Sequence, residues 1–344
     1  MTRPRVLAAM SGGVDSSVAA LLLKNAGFEV IGVTMRLFGT AQLKAAEQAA
    51  AVTASLGIEH LIVDLSAEFE SSVVDYFCEE YRSGATPNPC VVCNRLIKFG
   101  ALLKIADELD ATHLATGHYA RVESTASGYR LFKARDTLKD QSYFLYGLDQ
   151  GQLSRVLFPL GGMTKTEARR LSEEASLPVF SGESQDICFL EGGDYRSFLE
   201  GRIDFISGDI VDGEGKIIGR HRGLGLYTIG QRQGLGIASN VPLYVTAIDT
   251  EGNRLIVGGE TELLRSSVRI DNLNWIGGAW PAYSTGLSAR IRYRMPDAPL
   301  ISIEADGENA AIITFTAPVR AVTPGQSAAI YRCDEVLGGG IITG

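Results

Sequence analysis

The sequence has no apolar run long enough to cross a membrane; the longest are broken within a few residues by Lys, Gly or Asp. It has no basic excess either. With 32 Lys and Arg against 40 Asp and Glu, its formal charge is −8, which argues against a protein that coats nucleic acid indiscriminately and gives no reason to expect DNA as a partner. A polyanion bound through local patches is still open, so the position of the basic residues matters more than their sum. Cysteine is sparse and odd in number, five in all, and two stand as Cys-x-x-Cys, which suggests redox or metal chemistry before structural disulfides. There is no internal repeat and no low-complexity tail. Met1-Thr2-Arg3-Pro4-Arg5 is basic and precedes apolar residues, but that run stops at Ser11 and is needed as a core strand. No signal peptide is therefore expected, and the expected location is cytoplasmic.

What is present is ordinary in bulk: 344 residues, 45% hydrophobic and 21% charged, the length of two or three domains. One stretch organises the rest, Ala9-Met10-Ser11-Gly12-Gly13-Val14-Asp15-Ser16-Ser17. Val6 to Met10 reads as a buried strand, and the apolar run from Val18 to Leu23 as the first turns of a helix ending near Gly27. Paired glycines between them let backbone approach a ligand, and the free amides of the helix's first turn favour an anion. Ser11, Ser16 and Ser17 add hydroxyl donors. Asp15 beside a phosphate is repulsive unless a metal lies between or it caps the helix, so the set suggests a pyrophosphate cradle with Mg²⁺. A Walker A loop needs Gly-Lys-Ser/Thr behind its glycines and a dinucleotide fingerprint needs a third glycine; neither is here. Ser-Gly-Gly-Val-Asp-Ser instead resembles the loop of the PP-loop ATP pyrophosphatases, which cleave ATP to AMP and pyrophosphate.

Strand and helix signals alternate through the first third: a second strand over Val30 to Met35, a helix over Ala41 to Leu56, a third strand over Ile58 to Asp64, and a helix over Ala67 to Arg82. That alternation implies a parallel sheet covered on both faces, with ligands beyond the carboxyl ends of its strands and Met35 near the nucleotide. The two prolines of Thr86-Pro87-Asn88-Pro89-Cys90 make a rigid loop. Helical periodicity from Asn94 puts Cys93 at a helix N-terminus, where a thiolate is stabilised. His113 to Tyr119 reads as a fourth strand running into a glycine turn, and His118 gains weight from following that glycine. Lys133, Arg135 and Lys139 form a small basic cluster. Thr164-Lys165-Thr166-Glu167 is a capping box, read as structural. Cys78 and Cys333 read as small core residues.

From about Gly201 glycines become dense, and beyond about Leu263 alternating segments suggest a small β-barrel. In Ala289-Arg290-Ile291-Arg292-Tyr293-Arg294-Met295, period-two alternation puts three arginines on one face, which suits phosphate contact better than a merely solvated face.

Together these stretches resemble the bacterial tRNA-specific 2-thiouridylase (MnmA/TrmU) family. The resemblance runs from the loop through Thr86-Pro87-Asn88-Pro89, Cys93-Asn94, Thr116-Gly117-His118-Tyr119, Lys139-Asp140-Gln141-Ser142 and Ile187-Cys188-Phe189. It continues in Tyr227-Thr228-Ile229-Gly230-Gln231-Arg232 and Thr323-Pro324-Gly325-Gln326. It implies an α/β parallel-sheet ATP pyrophosphatase domain over 1–198, a small central domain over 199–262 and a C-terminal β-barrel over 263–344. The activity implied is replacement of the C2 oxygen of a wobble uridine in tRNA by sulfur, after adenylation by ATP. Ala9, Met10, Ser11, Gly12, Gly13, Val14, Asp15, Ser16, Met35 and Gly117 would hold ATP. Asn88, Pro89 and Cys90 would meet the base, while His118, Lys139, Asp140, Gln141, Arg292, Tyr293 and Gln326 would contact tRNA.

The same resemblance makes Cys93 and Cys188 the sulfur-handling pair, with a persulfide on Cys188 and its sulfur released by disulfide formation with Cys93. Many members have aspartate where this chain has Cys90, so here three thiols converge. Two readings stand: a 4Fe-4S cluster on Cys90, Cys93 and Cys188 with one open iron, which gives the third thiol a task, or a relay with a spare thiol. The sulfur donor is a persulfide carrier or sulfide.

Overall fold

The computed structural model describes residues 3–39, 41–179, 187–190, 194–283 and 285–343; Met1, Thr2, Thr40 and Ser184-Gln185-Asp186 lie outside the described residues. Five parallel strands, Arg5–Ala9, Glu29–Arg36, Glu59–Asp64, His113–Ala115 and Val156–Leu157, stand in the spatial order third, second, first, fourth, fifth. Side chains of the first strand alternate between two cores. Val6 and Ala8 pack with Val18, Ala49 and Val52 on one face, and Leu7 packs with Leu102, Phe99 and Leu114 on the other. Covering both faces is what makes the strand a continuous apolar run. Strand order reverses between the first and fourth strands, so the loops behind them open a crevice at the sheet's carboxyl edge.

The fourth strand is shorter than the sequence suggests. It ends at Ala115, and Thr116 to His118 form the turn. The helix Ala41–Leu56 falls where its alanine-rich run predicts. Helical structure also covers 66–82 and 89–108, but each contains a π-helical stretch, Glu70–Val74 and Cys93–Ala101.

A four-stranded sheet follows, built from the hairpin Gly208–Val211 and Ile217–His221 and the pair Tyr244–Asp249 and Arg254–Gly258. Six antiparallel strands then close a barrel: Leu264–Trp275, Leu287–Arg290, Ala298–Ala305, Ala310–Arg320, Ser327–Arg332 and Glu335–Ile342, the last pairing back to the first. The hairpin Ala120–Thr125 and Gly128–Lys133 leaves the first domain to pair with the barrel's last strand. This ties a hairpin of the first domain and the barrel into one sheet.

Two expectations in the barrel are corrected. The arginine-bearing segment is a strand only as far as Arg290; from Ile291 it bends, so the alternation of faces stops there. Cys333 is an exposed turn residue with φ of 54° between the last two strands, not a core residue, whereas Cys78 is buried as its helical position implies.

Candidate active site

The loop behind the first strand turns at Gly12, whose φ is 73° and whose Cα lies so close to Gln48 that a Cβ would stand 2.4 Å from the Gln48 Cβ. Gly13 then caps the helix Val14–Asn25 without a side-chain bond, leaving its first-turn amides available. Ser16 and Ser17 donate to the Gly13 carbonyl at 3.2 and 2.8 Å, and the Ser11 amide donates to Ser16 Oγ at 3.1 Å. Gly117 seats the neighbouring turn on this helix. A Cβ there would lie 2.8 Å from the Asp15 carbonyl carbon and 2.9 Å from the Ser16 nitrogen, so only glycine lets the two loops meet.

Asp15 faces outward from the first turn. Lys165 Nζ donates to both its carboxylate oxygens, at 2.8 and 2.7 Å, and the Tyr119 hydroxyl donates to Oδ1 at 2.8 Å. Burial and the adjoining carboxylate push the Tyr119 hydroxyl's pKa far up, so it stays a donor. The capping box that seats Lys165 is present as its sequence predicts, with Thr164 and Glu167 reciprocally bonded. The task of Lys165 itself is not legible there, because the box says where a helix starts and not what its first side chain meets.

A cavity of about 1420 Å³ opens from this loop. Ser11, Gly13, Val14 and Asp15 line one end, and Cys90, Cys93 and Cys188 line it too. Met35 does not; it packs between two hydrophobic clusters. Cys93 and Cys90 are withdrawn into the protein and Cys188 is exposed. Burial pushes the Cys93 thiol up to about 12 and Cys90 to about 11, and it raises Cys188 as well. In each case Lys98, a cavity residue the sequence did not single out, opposes the shift. The thiolate expected at Cys93 from its place near a helix start is thus outweighed by desolvation.

The cluster, one of the two readings of the three thiols, is not shown by the structure. Among the described residues no three His, Cys, Asp or Glu side chains are grouped to hold a metal, although all three thiols are described. One exposed thiol and two withdrawn ones around one cavity, all with raised pKa values, suit successive sulfur chemistry better than joint ligation.

The proline loop forms part of the cavity's wall, and the barrel and the central domain both brace it. Gln326 Nε2 donates to the carbonyls of Thr86 and Pro87 at 2.9 and 3.2 Å, the Thr86 amide donates to the Pro324 carbonyl at 2.8 Å, and Thr86 Oγ1 donates to Thr228 at 3.2 Å. Gln326 therefore ties the barrel to the loop and also lines the cavity. Asn88 is buried against Tyr143, and Pro89 opens the helix carrying Cys90 and Cys93.

Several residues expected to contact tRNA are otherwise engaged. His118 is buried, with Nδ1 2.7 Å from Thr116 Oγ1 and its ring beside Phe99 and Phe158; burial drives its pKa well below the usual value, so it is neutral. Asp140 is buried and accepts from the Ala134 and Ser142 amides, the Ser142 hydroxyl and Arg290. Gln141 Oε1 accepts from the Tyr119 amide at 2.9 Å. Arg292 donates to the Ile229 and Ala321 carbonyls and to Thr323. These groups hold the fold around the site. Among these candidates His118, Lys139, Asp140, Gln141, Tyr293 and Gln326 line the cavity, as does Arg294, whereas Arg292 does not; the Tyr293 ring lies 4.4 Å from that of Phe144.

Three domain families match in the order of the three sheets. A tRNA methyl transferase HUP domain covers residues 4–192, a tRNA methyl transferase PRC-barrel domain 196–259, and an aminomethyltransferase beta-barrel domain 265–342. A tRNA-specific 2-thiouridylase MnmA of Dehalococcoides mccartyi is 46% identical over 99% of this chain and 97% of its own length. The chain belongs to the MnmA family. MnmA 1 of Caldanaerobacter subterraneus is 47% identical over 98% of this chain and 97% of its own, and MnmA of Acidithiobacillus ferrooxidans 46% over 100% and 99%. The match thus runs through every segment that frames the cavity, barrel included.

Proposed function

We propose that this chain is a tRNA sulfurtransferase that adenylates the C2 oxygen of a wobble uridine with ATP and then displaces AMP with sulfur carried by a cysteine. The observation carrying this reading is that the anion-favouring loop and three thiols line one cavity. A base held there exposes one carbon to both halves of the reaction.

The C2 oxygen attacks the α-phosphorus of ATP and pyrophosphate leaves toward the amides of the Val14–Asn25 helix and the Ser11 hydroxyl. Asp15 is the carboxylate that would hold Mg²⁺, a hard cation suited to its oxygens, which supplies charge neutralisation for the phosphates. The terminal sulfur of a persulfide on Cys188 then attacks C2 and AMP leaves. Cys93 attacks the Cys188 sulfur, which frees the 2-thiouridine and leaves a Cys93–Cys188 disulfide for an external thiol to reduce. The exposure of Cys188 supports its role as acceptor from a persulfide carrier, and the burial of Cys93 supports its acting second. No step passes through an iron-sulfur cluster.

To reach this cavity the uridine leaves its stack, with Asn88, Pro89 and Cys90 as one wall and the ring of Tyr293 beside it. The test is pyrophosphate release with tRNA transcript, followed by mass spectrometry of the wobble nucleoside. Release that depends on unmodified tRNA, with one oxygen exchanged for sulfur, is expected. Release indifferent to tRNA overturns the reading.

A further inference from the structure

One amide oxygen in the cavity wall has no donor among the described residues. Asn94 follows Cys93 in the π-helical stretch Cys93–Ala101, lines the cavity and is 2% exposed. Its Nδ2 donates to the Phe144 carbonyl at 3.1 Å, while its buried Oδ1 accepts from none of the described residues. The Phe144 bond also settles which way the amide faces, because a reversed amide would set oxygen against oxygen there. The other amide side chains along the cavity are engaged: Asn88 with Tyr143, Gln141 with the Tyr119 amide, and Gln326 with the Thr86 and Pro87 carbonyls. Ser172 also lines the cavity with a buried unpartnered oxygen, but a hydroxyl inside a helix can turn onto the carbonyls of its own preceding turn. An amide held by its nitrogen has no such option.

Buried as it is, the Asn94 oxygen is not served by bulk water, and an acceptor left in that state is costly. A ligand that brings it a donor removes that cost. Uracil carries such a donor next to the atom that reacts. Its C2 lies between N1, which bears the ribose, and N3, which bears a hydrogen. In the chain, Asn94 is the residue next to Cys93, one of the two cysteines given sulfur to handle. An N3–H placed on Asn94 Oδ1 therefore turns the C2 edge of the base toward the part of the cavity that the thiols line. Cytosine has a bare lone pair at N3, so the same placement sets two acceptors face to face and leaves both unpaired.

We propose that Asn94 Oδ1 accepts the N3–H of the extruded uridine, so that Asn94 is the residue by which this cavity tells uridine from cytidine. This rests on the reading of the cavity as the pocket for the target base.

The test is equilibrium binding of tRNA transcripts to the full chain, with a non-cleavable ATP analogue present so that no chemistry enters. The transcripts differ only at the wobble position, which carries uridine, 3-methyluridine or cytidine. Wild type is expected to bind the uridine transcript about tenfold more tightly than the other two, the effect of one hydrogen bond to a group otherwise left unpaired. Asn94→Ala is expected to bring all three within about twofold of one another by weakening the uridine transcript alone. A merely structural role would weaken all three by one factor, and that result overturns the proposal. So does a wild type without preference, or an Asn94→Ala variant that keeps it. Should Asn94→Ala fail to fold, Asn94→Ser is read in its place, and a wild type that binds the uridine and 3-methyluridine transcripts alike overturns the proposal without any variant. Pyrophosphate release that depends on tRNA, beside a wild type indifferent to the wobble base, refutes only the role of Asn94. Release indifferent to tRNA refutes the reading of the cavity, and this proposal with it.

Discussion

Arg290 Nη1 donates to Asp140 Oδ2 at 3.0 Å across 150 positions of sequence, and the two side chains are 13% and 2% exposed. The same guanidinium donates from Nε to Asp297 at 2.8 Å and lies over the Tyr331 ring. This pair joins the barrel to the first domain beneath the cavity. Removing the cation strands a buried carboxylate, so Arg290→Ala is expected to cost about 3–5 kcal/mol of unfolding free energy. Urea titration measures it. A loss below ~1 kcal/mol, within the surface range, together with weaker tRNA binding would return Arg290 to the role of a phosphate contact.

The two following arginines should separate cleanly. Arg292 has its guanidinium on backbone carbonyls, whereas Arg294 is exposed on the cavity rim. Arg294→Ala is expected to flatten the plot of log tRNA affinity against log salt by about 0.7 to 0.9, the release of one phosphate contact's counterions. Arg292→Ala should lower the melting temperature and leave that slope unchanged. A slope that responds to Arg292 and not to Arg294 would reverse the assignment.

The loop, the first strands and the capping box were legible because each depends on neighbours within a few residues: glycines where the chain turns, alternation where a strand is covered, a Thr and Glu three apart. What failed depends on partners far along the chain. Alternation predicted one strand face for Arg290 and Arg292, but the strand ends at Arg290, and nothing local told that Asp140, Asp297 and the Ala321 carbonyl wait for these side chains. Lys165 was hidden for the same reason, since Asp15 lies 150 positions away. Cys93 was misjudged through a magnitude: a helix start and Lys98 favour the thiolate, but burial costs more.

Gly117 gives a direct test of the crevice. The methyl of Gly117→Ala would press on the backbone of Asp15 and Ser16 at under 3 Å and push the two loops apart. A displacement near 1 Å of the phosphate-facing amides is expected to lower the rate of tRNA-dependent pyrophosphate release by about a hundredfold. Circular dichroism should show the fold retained. Undiminished release would mean that the turn yields and the amides do not depend on it.

On the proposed relay, the raised thiols would set the pH dependence of sulfur release. The neutral form of Cys93 is favoured until pH approaches about 12, so at neutral pH only a small thiolate fraction is present. Below that point each pH unit multiplies the fraction by about ten, because the thiolate alone attacks. With a persulfide preloaded on Cys188 and a single turnover of tRNA, formation of the Cys93–Cys188 disulfide should therefore quicken as pH rises through the range where adenylation is already complete. Lys98→Ala removes the cation that opposes this shift, so it should slow disulfide formation at every pH and leave pyrophosphate release nearly unchanged. Cys93→Ser should stop the reaction with the base still joined to Cys188 through two sulfurs, an adduct that mass spectrometry can weigh. A release rate flat in pH, or full thiouridine yield from the Cys93→Ser variant, would show that another group frees the sulfur.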